Sequence, residues 1–179
     1  MALAAVLRFA WLGRHSVFFD EAYVAWLSAH RWSDLLLLRL AEYHPPLHYV
    51  LMKAWIALAG PGEAALRTPS AVFGSLSVLL TYFLVRRVAS EHVSLMSALF
   101  VAVSPFEIMA GQYGKMYTLL EVLAVGSTLV LALATERGAP RWTLYVALAA
   151  ATLYTHYLGV FVLAAHGAWV LWRRRPRLT

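Results

Sequence analysis

The chain has 179 residues, 61% hydrophobic and 13% charged, with a formal net charge of +6 and mean hydropathy +0.66. An ordinary soluble domain carries roughly a quarter charged residues, so this composition excludes that class, and the absence of cysteine excludes a disulfide framework or a thiolate metal site. The positive balance does not point to nucleic acid, because much of it lies in Arg173-Arg174-Arg175-Pro176-Arg177, directly behind an apolar segment, where a cytoplasmic membrane flank belongs.

Residues 1–12 are apolar, lack a small-residue cleavage site and are interrupted by Arg8. They read as a first membrane helix trimmed at its N-terminus, since a full span needs about 20 residues. Residues 13–68 read as one large outer loop folded on the membrane surface. Within it, short helices are expected at 20–29, at 34–41 with Ser33 as cap, and at 47–59. The last starts behind Pro45-Pro46 and repeats Leu47, Val50, Leu51, Ala54 and Leu58 at helical spacing. Five further spans are expected at 69–88, 92–110, 116–135, 142–154 and 158–172, followed by a basic tail at 173–179. The expected architecture is all-α: a polytopic membrane protein of about six transmembrane helices, with interfacial helices between the first and second.

Basic residues set the expected orientation. Arg86-Arg87, Arg137 with Arg141, and the 173–177 run fall at alternate segment ends, so one threading places all three in the cytoplasm. The opposite face then receives Asp20, Glu21, Glu42, His44, Glu63, Arg67, Glu107, Gln112, Lys115 and His156. Ionisable groups gathered at a membrane face are costly unless they bind or react.

Asp20 and Glu21 fit the start of a helix, with Asp20 as cap and Glu21 complementing the dipole. An ionised carboxylate there is also placed to accept a proton from a hydroxyl. His44, in His44-Pro45-Pro46-Leu47, is either a solvated cap or an imidazole held still for a phosphate or a metal, and Glu42 stands near enough in sequence to share a divalent ion with it. Arg67 is either an interfacial anchor or a clamp for an anionic headgroup. Lys115 precedes a helix on the face where basic residues are disfavoured, which asks for an anion nearby. Glu121 lies inside an apolar helix and fits pairing with a neighbour. His156, in Tyr154-Thr155-His156-Tyr157, is either structural or site-lining.

In order along the chain, Phe19-Asp20-Glu21-Ala22, His44-Pro45-Pro46-Leu47, Ala65-Leu66-Arg67-Thr68-Pro69-Ser70-Ala71, Ser104-Pro105-Phe106, Gln112 with Lys115-Met116-Tyr117, and Tyr154-Thr155-His156-Tyr157 form a series. That series resembles the N-terminal part of GT-C-type membrane glycosyltransferases of the protein O-mannosyltransferase-like group, which includes bacterial aminoarabinose transferases. The resemblance implies a polyprenyl-phosphate sugar donor and transfer to a hydroxyl acceptor on the outer face of a bacterial or archaeal plasma membrane. It implies Asp20 as the base with Glu21 beside it, and His44, Arg67, Lys115, Tyr117 and His156 as donor-phosphate or substrate contacts. Lys115 stands where such proteins commonly carry arginine, and Tyr113-Gly114 replaces an expected small-plus-acidic pair. Relatives in that group are much longer, so the chain reads as a portion of one. The alternatives are a transporter or flippase-like module for a lipid-linked or polar solute, and a non-catalytic subunit on the same scaffold.

Overall fold

A computed structural model of the protein describes residues 1–40, 44–135 and 141–174. Among the described residues the fold is all-helical. Helix α1 spans Ala2–Phe9, α2 Phe19–Ala29, α3 Trp32–Leu40, α4 Leu47–Ala59, α5 Glu63–Val85, α6 Glu91–Val103, α7 Pro105–Gly111, α8 Tyr117–Ala134, α9 Trp142–Thr155 and α10 Gly159–Arg174. Two helices, α5 and α8, are long and apolar enough to cross a membrane; α6 and α7, bent by 59° at their junction, make a third candidate if the pair is one span. Helices α4, α9 and α10 are shorter apolar helices. The expected span at 69–88 begins earlier, at Glu63, and the one at 92–110 is broken at Ser104. Helix α4 occupies the expected 47–59 interval.

Both prolines that interrupt long helices are compensated from elsewhere in the chain. Pro69 lies inside α5 and has no N–H to give the Ala65 carbonyl. The Trp55 indole N–H of α4 donates to that carbonyl instead, at 2.8 Å. Pro105 opens α7 and leaves the last carbonyls of α6 without helical partners. The Arg8 guanidinium fills the gap: Nη1 donates to Ala102 O at 3.1 Å and Nη2 to Val101 O at 3.1 Å. A cation at a helix C-terminus is also favoured by the dipole. Arg8, which looked like an interruption of an apolar segment, is fully buried at 0% exposure. A Cβ on Gly111 would fall 2.9 Å from Arg8 Cγ, so the absence of a side chain there makes room for it. Gln112 Nε2 in turn donates to Leu7 O and Ala10 O, which ends α1 and ties it to the segment following α7.

The main apolar core lies between the short helices α2–α4 and the starts of α5 and α8. Val24, Leu27, Leu35, Tyr49, Met52, Leu66 and Met116 pack together from α2, α3, α4, α5 and the start of α8. Lys53 of α4 donates to Ser28 O at 2.8 Å and to His30 O, capping the end of α2, and its ammonium sits over the Trp32 ring. These contacts fasten α2, α3 and α4 to one another and, through Leu66, to the first half of α5. On the other side, His166 of α10 bonds Thr128 of α8 at 2.9 Å and Tyr145 of α9 at 3.3 Å, closing the last three helices into one packed group.

Candidate functional site

The site is built from helix ends. Helix α2 starts at Phe19, not at Glu21, and its N-cap is Phe18. Asp20 is therefore not the cap: Glu21 bends back and accepts the Phe18 N–H at 3.0 Å, filling the role expected of Asp20. The reason is that Glu21 faces the interior, where it meets Arg67, while Asp20 faces the rim.

Glu21 is 0% exposed and fully occupied. Its Oε1 accepts from Arg67 Nε at 2.8 Å and from the Gly114 N–H at 2.8 Å, and its Oε2 accepts from Arg67 Nη2 at 2.7 Å and the Phe18 N–H. Burial pushes the Glu21 carboxyl up, but hydrogen bonds from Arg67, Phe18 and Gly114 outweigh burial and hold it below its ordinary value. Arg67, 2% exposed, spends its remaining N–H groups on Leu12 O at 2.7 Å, His15 O at 2.9 Å and Ser16 O at 3.0 Å. A guanidinium has five N–H donors, and all are engaged within the chain. Arg67 thus sits at the centre of the 12–21 segment, with its donors spent on that segment.

Asp20 differs from its neighbour in every respect. Its side chain is 49% exposed, and its Oδ2 lies 3.7 Å from Lys115 Nζ. The Tyr113 hydroxyl donates to the same Oδ2 at 3.0 Å. Lys115 is 7% exposed, and this long ion pair leaves its ammonium with donor capacity to spare. The anion that its position before a helix required includes Asp20. Asp20 and Lys115 therefore stand side by side, although 93 residues separate Asp20 from Tyr113 in that same turn.

Gly114 makes this turn possible. A Cβ there would come 3.0 Å from the Leu66 carbonyl and 3.3 Å from Glu21 Oε1. Below the turn lies His48 of α4, 3% exposed, edge-on to Tyr49 and with Nε2 unpartnered. Burial and the nearby Lys115 charge lower its pKa to about 3, so it is neutral, against a hydrogen-bonding interaction with the Gly114 backbone. His48 was not singled out from the sequence, and Gly114 only as half of the Tyr113-Gly114 pair. The signal available was a histidine on the buried face of α4 and a glycine between two polar residues.

His44, at the entry to α4, faces His156, at the exit of α9, with ring centroids 5.4 Å apart. His156 Nδ1 accepts the Leu158 N–H at 3.1 Å, which fixes that ring. Among the described residues no group of three or more His, Asp or Glu could hold a metal, and Glu42 lies outside the described residues. Tyr117 opens α8 and stacks on Tyr113 at 6.4 Å. Both line a largely apolar groove of about 960 Å³, walled by Trp11, Phe18, Phe106 and Met109. Glu121 lies farther along α8, within reach of Glu107, Ser77 and Arg8 and away from the Asp20 pocket.

An all-helical membrane chain with an open carboxylate, a buried ammonium and an apolar groove meeting at helix ends has the makeup of a membrane-embedded group-transfer enzyme. Residues 43–179 match the model of the dolichyl-phosphate-mannose-protein mannosyltransferase family, and the chain belongs to that family. It is a glycosyltransferase drawing on a dolichyl- or polyprenyl-phosphate sugar donor, and an integral membrane protein. No curated protein and no solved structure matches the chain. The family match begins after Asp20 and Glu21, and the contacts described above join these two residues to Arg67, Tyr113, Gly114 and Lys115 within the matched stretch.

Proposed function

We propose that this chain catalyses sugar transfer from a polyprenyl phosphate to a hydroxyl acceptor at the outer face of the membrane, with Asp20 as general base. The acceptor oxygen attacks the anomeric carbon while Asp20 takes its proton. The bond from that carbon to the phosphate oxygen breaks, and Lys115 meets the charge left on the lipid phosphate. A single displacement of this kind inverts the anomeric carbon. The groove beside Tyr113 and Tyr117 takes the prenyl chain, so the donor is already anchored when the acceptor arrives. His44 and His156, whose rings face one another, flank the donor. In this reading Glu21 and Arg67 position the base and the turn without touching the phosphate, since their bonding capacity is already spent. The spans beyond α5, α8 and the bent pair are supplied by α1, α9 and α10.

The observation that carries this reading is the contrast within the acidic pair: a saturated, buried Glu21 beside a half-open Asp20 that lies 3.7 Å from a nearly buried lysine. Asp20→Asn in the full chain is expected to lower transfer from polyprenyl-phosphate mannose by at least about 100-fold, with membrane insertion and polyprenyl-phosphate binding retained. Unchanged transfer would remove Asp20 as the base. Lys115→Ala is expected to weaken donor binding as well as turnover, because it meets charge in both the bound donor and the leaving group.

A further inference from the structure

The Asp20 carboxylate has two unequal oxygens. Oδ2 accepts the Tyr113 hydroxyl at 3.0 Å and faces Lys115 Nζ at 3.7 Å. Among the described residues nothing donates to Oδ1. Tyr113 is held from both sides: its ring stacks on Tyr117 at an interplanar angle of 16° and takes the edge of Phe18 at 5.6 Å. Its backbone adjoins Gly114, which is pinned to Glu21 at 2.8 Å. The phenol therefore approaches Asp20 along a fixed line.

We propose that Tyr113 is a positioning residue for the transfer reaction, orienting Asp20 so that Oδ1 alone is presented to the acceptor hydroxyl. This inference rests on Asp20 being the base. With the Tyr113 hydroxyl donating to Oδ2 and the Lys115 ammonium facing it, a proton arriving there would have to displace the phenol and meet a like charge. A proton arriving on Oδ1 leaves both contacts in place, and the neutral acid that results still accepts from Tyr113 through Oδ2. The acceptor proton therefore moves to Oδ1 as the acceptor oxygen bonds to carbon, with no rearrangement of the carboxylate. Tyr113 keeps its own proton throughout: burial, then the hydrogen bond to Asp20, raise the phenol to about 12. The charged and titratable groups around this contact are Asp20 itself, Lys115, Glu21 and Tyr117.

The test uses the full chain in membranes, with polyprenyl-phosphate mannose as donor and release of polyprenyl phosphate as readout. Tyr113→Phe keeps both ring contacts, and its thermal unfolding is compared with that of the wild type. The expected result is a fall in kcat of about tenfold with the donor KM unchanged. The acid limb of the kcat/KM profile moves to higher pH, because a donor to the charged form has gone. Fluorotyrosine at position 113, a stronger donor, moves that limb the opposite way, which a purely structural ring would not do. If Tyr113→Phe and the fluorotyrosine protein keep the wild-type kcat and acid limb while Asp20→Asn is inactive, the inference is overturned and the general-base reading stands. If Asp20→Asn transfers normally, both are overturned.

Discussion

Adjacent residues can share a charge and a backbone and still have opposite jobs. One residue of rotation along α2 carries Glu21 inward to a guanidinium and leaves Asp20 at the rim. A buried ion pair is strongly destabilising when one partner is removed, because the other charge is stranded. Arg67→Met is therefore expected to cost about 3–5 kcal/mol in thermal unfolding, and Glu21→Gln with Arg67→Met together less than the sum of the single changes. The pH dependence separates two groups. Glu21 has a lowered pKa in the fold, so its contribution is complete above its ordinary value of 4.5 and is lost as pH falls through the folded value. His48 is neutral in the fold, with a pKa of about 3 against an ordinary 6.5, so the unfolded chain binds the extra proton and stability declines as pH falls from 6.5 towards 3. His48→Phe should flatten the stability profile between pH 6.5 and 4.5, where Glu21 is silent; an unaltered slope in that window would mean that His48 is not the group responsible. The residue types of the site were legible because charge is conspicuous in an apolar chain. Their division of labour was not, since it depends on which way α2 turns against α5.

At the level of helices, the sequence announces breaks but not their repairs. Pro69 and Pro105 are visible to any reader, and the start of α4 behind Pro45-Pro46 fell where expected. What could not be read is that Trp55 and Arg8 supply the missing donors, because neither is a sequence neighbour of the carbonyl it serves. Trp55→Phe is expected to cost about 1 kcal/mol of stability by orphaning the Ala65 carbonyl. In a Pro69→Ala background the helix regains its own N–H for that carbonyl, so the same tryptophan change should cost less. Equal losses in both backgrounds, measured by unfolding in detergent, would show that the indole contributes by packing alone. The boundary at Glu63 was missed for a related reason: proline inside the segment looked like a start, and a donor from α4 lets the helix run through it.

For the whole molecule, the helical class was written in the composition, and so was the gathering of polar groups at segment ends. The span count was not, since α9 and α10 are shorter than a bilayer requires of an untilted helix. Sidedness can be tested directly because the native chain has no cysteine. In our reading, an impermeant maleimide added from outside labels Phe19→Cys, which is 86% exposed, and leaves Val88→Cys, 87% exposed, unlabelled until the membrane is opened. Labelling of both from outside would break the proposed threading. The knot of Glu21 and Arg67 also carries a lesson for descent. Neither partner can drift alone, since every single-step intermediate strands a charge in a dry interior. Across lineages the two positions should be kept together or exchanged together. Tyr113 and Asp20 meet at a wetted rim, where an abandoned partner is rescued by solvent, so it is catalysis rather than stability that would hold that corner in place.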